Sequence, residues 1–474
     1  MQDKISQLPD DILLSIVSIL DFKTVVRTSI LAKRWKYLWT WLCDLDFHPK
    51  NLFPANHDFF KRSRSIGDDG KKKFQQGYMN WINQVIHSHR APCITKFSLF
   101  FPEVWSKDMS EIEKWIRFAV SKQVEELDLT LLDYRDHPPR VSLGSDILNH
   151  SITNLKSLSM SNVNISGEAL ESVLFHCHLL ERLYVDDSDT LQTLTIVSYK
   201  LKHLTLIECK KLNELQIDAV NLISFYFQEY HRGVPVHIVF KMVPNLVEVD
   251  FGMLGCTYPF RILERFSCVS KQLTKLSFCP FIDYATRLIP SRLAVIQVNV
   301  FFPYVKQLTL TVLSLSSFFF QLFIPACPML HELKLQVTCD PGGPLKDEAD
   351  QLREIELEDE RNDEMPMNQE SYSEGEKEKS EHEVNLKVLE IVGFHGCNED
   401  VKCALEIIAR AANSMERLIC ELRHLEEIIE DPGPGLDEDV FMAKKRSRAH
   451  KLVKLVPPRV HVGVRDKSGL SWIS

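Results

Sequence analysis

Apolar positions in the first forty residues recur at helical intervals. Ile12, Ile16 and Leu20 fall about one turn apart, with Leu13 and Val17 beside them, so the spacing predicts a helix over 10–20 with one apolar face. Pro9 is suited to the helix start, where its missing N–H costs little, and Asp10 and Asp11 set negative charge against the positive end of the helix dipole. A second short helix is predicted over 23–30. A third over 32–39 would present Trp35 and Trp39 on one side. A module this small buries little apolar surface internally, so it reads as one that docks onto something else.

Behind it the pattern changes. Residues 61–73 combine Ser, Gly, Asp and Lys with almost no apolar content, which predicts a flexible connection. Trp81, Ile82, Val85 and Ile86 then resume helical spacing, placed to cover the open start of the next domain. From there one phrase recurs: apolar, two variable positions, apolar, one variable position, apolar. It is read in Ile94-Phe97-Leu99, Val124-Leu127-Leu129, Leu155-Leu158-Met160, Leu180-Leu183-Val185, Leu191-Leu194-Ile196, Leu201-Leu204-Leu206, Leu212-Leu215-Ile217 and Leu222-Phe225-Phe227. Further copies run from Leu246-Val249-Phe251 through Leu273, Leu293, Val305, Leu330 and Leu352 to Leu386-Leu389-Ile391. The last two apolar positions have period two and enter one face of a short strand. Repeated over a dozen times, this is leucine-rich-repeat grammar, and it predicts strands stacked in a parallel sheet.

Spacing adds shape. Starts at 124, 155 and 180 leave room for a return helix, whereas 191, 201, 212 and 222 stand too close for a strand, a helix and two turns. Tight turns or extended returns are therefore expected in that stretch, with no long helix. The variable positions of each phrase point away from the core and form the candidate target-binding surface: Glu126, Asp128, Arg182, Tyr184, Lys202, Thr205, Glu214, Gln216, Tyr226 and Gln228. Their mixed signs and sizes favour a shaped protein-binding surface over a phosphate-tracking groove.

The chain has 474 residues and a formal net charge of -9, most of it concentrated in 358–383, where eleven Asp or Glu stand against three Lys or Arg. That stretch predicts an acidic disordered loop, and the near-neutral remainder gives no support to direct nucleic-acid binding. No positively charged leader with an apolar core is present and no apolar run is long enough to span a bilayer, so no membrane contact is expected. Twelve cysteines without repeated Cys-x-x-Cys spacing indicate neither a disulfide framework nor structural zinc. With no cofactor motif visible either, a reducing interior, nucleus and/or cytoplasm, is the expected home. The run Lys444-Lys445-Arg446-Ser447-Arg448 reads as a solvated segment in preference to a nuclear address.

The segment Ile5-Ser6-Gln7-Leu8-Pro9-Asp10-Asp11-Ile12-Leu13, followed by Val25 to Trp35 with its Arg34-Trp35 pair, resembles the F-box of plant F-box/leucine-rich-repeat proteins. Leu386 to Gly396, continuing to Met415-Glu416-Arg417-Leu418, resembles the FBD domain that follows the repeats in such proteins. The resemblance implies a mixed α/β chain: a three-helix F-box over 1–48, a linker and cap over 49–90, and an irregular leucine-rich-repeat solenoid with a parallel concave sheet over 91–357. The acidic loop over 358–384, an FBD-like unit over 385–422 that ends the sheet, and an extension over 423–474 complete it. It further implies that Leu8, Pro9, Ile12, Leu13, Ile16, Leu20, Leu31, Trp35 and Leu38 contact a Skp-type adaptor and, through it, a cullin, while the repeats hold an unknown target protein. The chain would be a non-catalytic receptor of a ubiquitin ligase; a repeat scaffold without ligase function and a hydrolase-like enzyme are the other readings.

Overall fold

The computed structural model describes residues 5–20, 22–28, 34–48, 68–102, 108–132, 140–144, 147–148, 152–230, 235–254, 259–280, 300–312, 323–337, 385–394, 398–411, 413–422, 446–447, 449–450, 452–466 and 469–473. The chain divides into two compact units, Met1–Leu246 and Val247–Ser474.

The first unit opens with helix α1 (Asp10–Ser18), α2 (Phe22–Thr28) and a 3-10 helix (Trp35–Trp41). Pro9 stands just before α1, and its carbonyl accepts the Leu13 N–H. Leu13, Val17, Val25, Trp35, Leu38 and Leu42 form a core of the module's own. Trp35, expected on an outer side, is buried there because the third segment packs across α1 and α2.

Strand β1 (Asp44–Phe47) follows at once and pairs in parallel with β2 (Lys96–Pro102). The crossover between them is helix α3 (Asp68–Ser88), with Tyr78, Ile82 and Val85 buried. Residues 68–73, expected in a flexible connection, instead form its beginning: burial of the apolar face downstream carries the polar first turns with it. Tyr78 is fully buried, and its hydroxyl is held between the carbonyl oxygens of Phe47 and Phe100, tying α3 to both strands.

The repeats continue as α4 (Met109–Ser121), β3 (Glu126–Leu132), β4 (Ser142–Leu143), β5 (Ser157–Ser161), β6 (Asn164–Ile165), α5 (Gly167–His176) and β7 (Arg182–Asp186). Then come β8 (Thr193–Val197), β9 (His203–Ile207), β10 (Glu214–Asp218), β11 (Ser224–Tyr230) and β12 (His237–Phe240). Within this unit β1-β2-β3-β5-β7-β9-β11 lie in that order in one parallel sheet, β4 pairs β6, and β12-β10-β8 make a second, three-stranded parallel sheet. No helix interrupts 191–222, as the spacing predicts. The return segments are themselves strands, however, so phrases ten or eleven residues apart alternate between two sheets. Successive rungs of the main sheet align Arg182, His203 and Ser224, one turn of chain per rung.

A repeated corner makes this tight coil possible. Asn162, Asp187 and Glu208, each directly after a main-sheet strand, have φ of 59°, 51° and 46°. Their N–H groups bond to Asp186, Ile207 and Gln228 carbonyls at 2.9, 2.9 and 3.0 Å. The left-handed residue thus turns the chain without leaving the ladder, at a modest cost for a non-glycine residue. Cys209 follows the last corner and is buried.

The second unit contains β13 (Glu248–Leu254), a 3-10 helix (Pro259–Phe266), β14 (Lys275–Pro280), β15 (Gln307–Val312), β16 (Glu332–Val337), β17 (Val388–Val392), α6 (Asn398–Arg410), β18 (Arg417–Glu421), β19 (His461–Asp466) and β20 (Gly469–Ile473). The strands pair in chain order, all in parallel except β20, which runs antiparallel to β19. The strand–helix–strand reading of 385–422 is thus met, but the sheet does not end there. Val460, Val462 and Val464 are buried at period two and carry it further into the extension. The phrases at Leu293 and Leu352 and the acidic loop over 358–384 lie outside the described residues.

Candidate docking surfaces

Helix α1 has two apolar sides. Leu13 and Val17 point into the module's core, while Ile12 and Ile16 are 44% and 36% exposed, Leu20 and Pro9 are exposed, and Ile19 is 83% exposed. Ile5, on the turn before α1, is exposed as well. Of the predicted adaptor contacts, Pro9, Ile12, Ile16 and Leu20 therefore lie on the outside, and Leu8 is half-buried against the core. Leu13, Trp35 and Leu38 are corrected: they are buried core residues, because an apolar stripe wider than about 100° of helix serves both an inner and an outer partner. Leu31 lies outside the described residues. Ile5 and Ile19 escaped the sequence reading, although Ile19 sits seven residues after Ile12 and continues its row. Arg34 closes the module by bonding Asp10 at the start of α1 through Nε and Nη2, at 2.8 and 2.6 Å.

The module is fixed to the sheet by backbone. Arg90 N–H donates to Thr40 at 2.7 Å and Thr95 N–H to Cys43 at 2.8 Å, and the Arg90 guanidinium stands 5.5 Å from the Tyr37 ring centre. His89 Nε2 lies 3.0 Å from the Leu42 carbonyl, which only accepts, so Nε2 carries the proton. Its Nδ1 is buried without a hydrogen-bond partner. Burial holds the imidazole below its ordinary pKa; the Leu42 hydrogen bond opposes this and the Lys122 charge adds to it.

The exposed face of the main sheet in the first unit is ruled by the strand register into rows. The first row runs Asp44, Lys96, Glu126, Ser157, Arg182, His203, Ser224, and the second Asp46, Ser98, Asp128, Ser159, Tyr184, Thr205, Tyr226. The third runs Phe100, Thr130, Ser161, Asp186, Ile207, Gln228. Seven predicted residues meet here: Glu126, Asp128, Arg182, Tyr184, Thr205, Tyr226 and Gln228. Glu214 and Gln216 do not. They belong to β10 in the second sheet, where Gln216 bonds Glu214 at 2.7 Å. Lys202 precedes β9 and sits on the edge, paired with Glu181 at 2.9 Å just as Lys156 pairs with Glu125 at 2.6 Å. The sequence reading missed Asp186 and His203, although both stand two residues from a named neighbour and so share its face.

Both cations of the rows lie in the first one. Arg182 reaches across β5 to Glu126 at 2.8 Å, with its Nε 3.3 Å from Ser157 Oγ. The second and third rows carry the carboxylates Asp46, Asp128 and Asp186 and neither Lys nor Arg. Burial, then the Asp187 and Glu208 charges, push the Asp186 carboxyl up to about 6. Burial and Asp186 likewise raise the Tyr184 phenol. In the second unit, Asp250 is pushed up to about 6, mainly by burial. There Glu390 is bonded by Arg465 at 2.8 Å and paired with Lys334 at 3.4 Å. Among the described residues no group of acidic, His and Cys side chains is arranged to hold a metal ion, and no helix is long and apolar enough to cross a membrane.

Comparison with known proteins agrees with this geometry. The F-box domain family model matches residues 5–46, and the family model described as At1g61320/AtMIF1, LRR domain, matches 141–432. Similar proteins of Arabidopsis thaliana include FBD-associated F-box protein At5g38590, 30% identical over 304 residues, covering 57% of this chain and 66% of that protein. F-box/LRR-repeat protein At1g55660 is 28% identical over 316 residues, 59% of this chain and 80% of that protein. Putative F-box/FBD/LRR-repeat protein At4g00315 is 29% identical over 314 residues, covering 58% and 66%. With its repeats matched over more than half of its length and its helical module matched separately, the chain belongs to the At1g61320/AtMIF1 leucine-rich-repeat family, as a plant F-box/LRR protein with an FBD-like region.

Proposed function

We propose that this protein is the substrate-recognition subunit of a Skp–cullin–F-box ubiquitin ligase: its helical module binds a Skp-type adaptor, and its ruled sheet face holds the protein to be ubiquitinated. The observation that carries this is the outer side of α1. A module that already fills its own core keeps Ile12, Ile16, Ile19 and Leu20 uncovered in a row, which is costly in water unless a partner covers them. The relatives' names, F-box with LRR or FBD, place this module beside repeats of the same kind. The protein's own contribution is geometric and not catalytic. Holding the target within one assembly raises its effective concentration at the ligase's reactive centre, where the bond-making groups belong to other subunits.

The test is affinity capture from plant cells under proteasome inhibition, comparing the parent with an Ile12→Glu, Ile16→Glu variant. The Skp-type adaptor and cullin should be lost from the variant while target proteins remain. Retention of the adaptor by the variant, or its absence from the parent, refutes the assignment. Deleting the module is a poorer test if the cut passes residue 43, because Asp44–Phe47 is the first strand of the sheet.

A further inference from the structure

Strand β5 is unlike its neighbours on the ruled face. It offers only Ser157, Ser159 and Ser161, while the strands on either side carry Glu126, Asp128 and Thr130, and Arg182, Tyr184 and Asp186. Three short side chains between two strands of longer ones leave a trough about 10 Å wide between its walls, twice the usual strand spacing of about 4.8 Å. One end is closed, because the Arg182 guanidinium lies over Ser157 and meets Glu126 on the far wall at 2.8 Å. The first row therefore shows in the molecule itself that a guanidinium fits across this trough, over a serine and against a carboxylate.

The second and third rows repeat the arrangement without the cation. Asp128 stands where Glu126 stands one row below, Ser159 and Ser161 continue the floor, and Asp186 rises from the opposite wall beside the Tyr184 ring. Asp128 accepts a hydrogen bond from Ser98 at 3.0 Å. Asp186 has the Ser161 and Tyr184 hydroxyls next to it. Neither has an ion-pair partner among the described residues. Of the other acids close by, Glu125 is matched by Lys156, Glu181 by Lys202, Asp187 by Arg140 and Lys210, and Asp189 by Arg140, while Glu208 adds a further negative charge near Asp186. Two carboxylates without ion-pair partners thus stand diagonally across a half-closed cup with a polar floor and an aromatic wall, Asp128 opposite Tyr184 and Asp186 opposite Thr130.

We infer that this cup receives an arginine side chain from the target protein, its guanidinium lying between Asp128 and Asp186 and against the Tyr184 ring. A planar guanidinium offers donors to both carboxylates at once and packs on an aromatic face, which an ammonium does less well. The inference rests on the reading of this face as the target-binding surface and adds the chemical class of what it reads. The raised Asp186 carboxyl is in keeping with it, since a bound cation would compensate a charge that burial and its acidic neighbours now disfavour.

The experiment uses the full chain and fluorescent nonapeptide pools with degenerate flanks and a fixed central arginine, lysine, citrulline or glutamate, titrated by polarisation. The parent should prefer the arginine pool over the citrulline pool at least tenfold, and the preference should shrink at pH 5 as Asp186 is neutralised. It should vanish in the near-isosteric Asp128→Asn, Asp186→Asn variant and persist in Glu214→Gln, Asp218→Asn, which removes the same charge from the second sheet. Equal binding of arginine and citrulline pools, a preference for lysine or glutamate, or equal loss in both variants overturns the inference. Adaptor binding is measured on the same preparations. Adaptor bound without arginine preference sinks this inference alone, whereas arginine preference without adaptor binding sinks the ligase assignment alone.

Discussion

Leu13 and Ile16 are neighbours on α1 that were indistinguishable by spacing and that the structure separates completely. Leu13 is fully buried among Val17, Val25, Trp35, Leu38 and Leu42. Truncating such a leucine to alanine costs about 2–5 kcal/mol, a large share of what so small a core supplies. Ile16 is 36% exposed, so Ile16→Ala should change stability by no more than about 0.5 kcal/mol. At the centre of an adaptor interface the same truncation should cost about 1–2 kcal/mol, a loss of roughly five- to thirtyfold in affinity. Adaptor titration combined with hydrogen exchange on α1 and α2 distinguishes the two. Leu13→Ala should bind weakly because its helices exchange quickly, and an osmolyte that favours burial should restore much of its affinity. Ile16→Ala should exchange like the parent and gain nothing from the osmolyte. Full affinity in Ile16→Ala with α1 protected, or lost affinity in Leu13→Ala with α1 equally protected, refutes the division into inner and outer sides.

Tyr78→Phe removes the hydroxyl held by Phe47 and Phe100 and should destabilise the first unit by about 1–2 kcal/mol, read by denaturant unfolding, while leaving adaptor affinity intact. Asp186 has its folded carboxyl pKa above the ordinary aspartate value of about 3.9, so its favourable contribution is complete below about pH 4 and is lost as pH rises through about 6. Discounted for the solvent that reaches it, Asp186→Asn should therefore stabilise the first unit by about 1 kcal/mol at pH 8, a rise of a few degrees in melting temperature, and do little at pH 4. His89 is displaced the other way: its neutral form belongs to the fold, so its contribution is present above about pH 6.5 and lost as pH falls below it. Amides around 89–95, at the join of module and sheet, should accordingly be less protected at pH 5.5 than at pH 7.5 once each rate is divided by the intrinsic rate at its own pH, and His89→Gln should abolish that difference in protection.

The strands most legible in the sequence are those whose phrase opens on a buried leucine. Leu201-Leu204-Leu206 announces β9 because all three side chains enter one core, and that is a local fact. Strands β12 and β19 lack the opening leucine. Strand β1 has the whole phrase, Leu42-Leu45-Phe47, but a single copy far ahead of the next at Ile94 carries little information without its partner strand. The site was legible in part for the same reason. Period two shows which side chains leave the core, so Asp128, Tyr184 and Tyr226 were found. It does not show which strands are neighbours, and the cup needs residues 128, 159 and 184 brought together from three successive rungs. On α1, spacing revealed an apolar stripe but not that half of it faces the module's own core, since that depends on where Trp35 and Leu38 come to lie.

The close-set phrases between 191 and 222 show how far spacing can be pushed when it is read as path length. A strand of five residues and a turn use up about ten, so phrases at that interval account for half a circuit, and a strand must return on the other side before the main sheet gains its next rung. Alternate phrases must then face opposite ways, and Glu214 and Gln216 are separated from Thr205 and Tyr226 by the thickness of a buried core, although similar positions in their phrases suggested a common surface. The wider intervals before 180 give their returns to helices α4 and α5 and to the short strands β4 and β6, and there every phrase contributes to one face. The trough of β5 lies in that second regime, where β3, β5 and β7 are consecutive in the main sheet and only the short strands β4 and β6 lie outside it, and this is why acids from β3 and β7 can flank one floor.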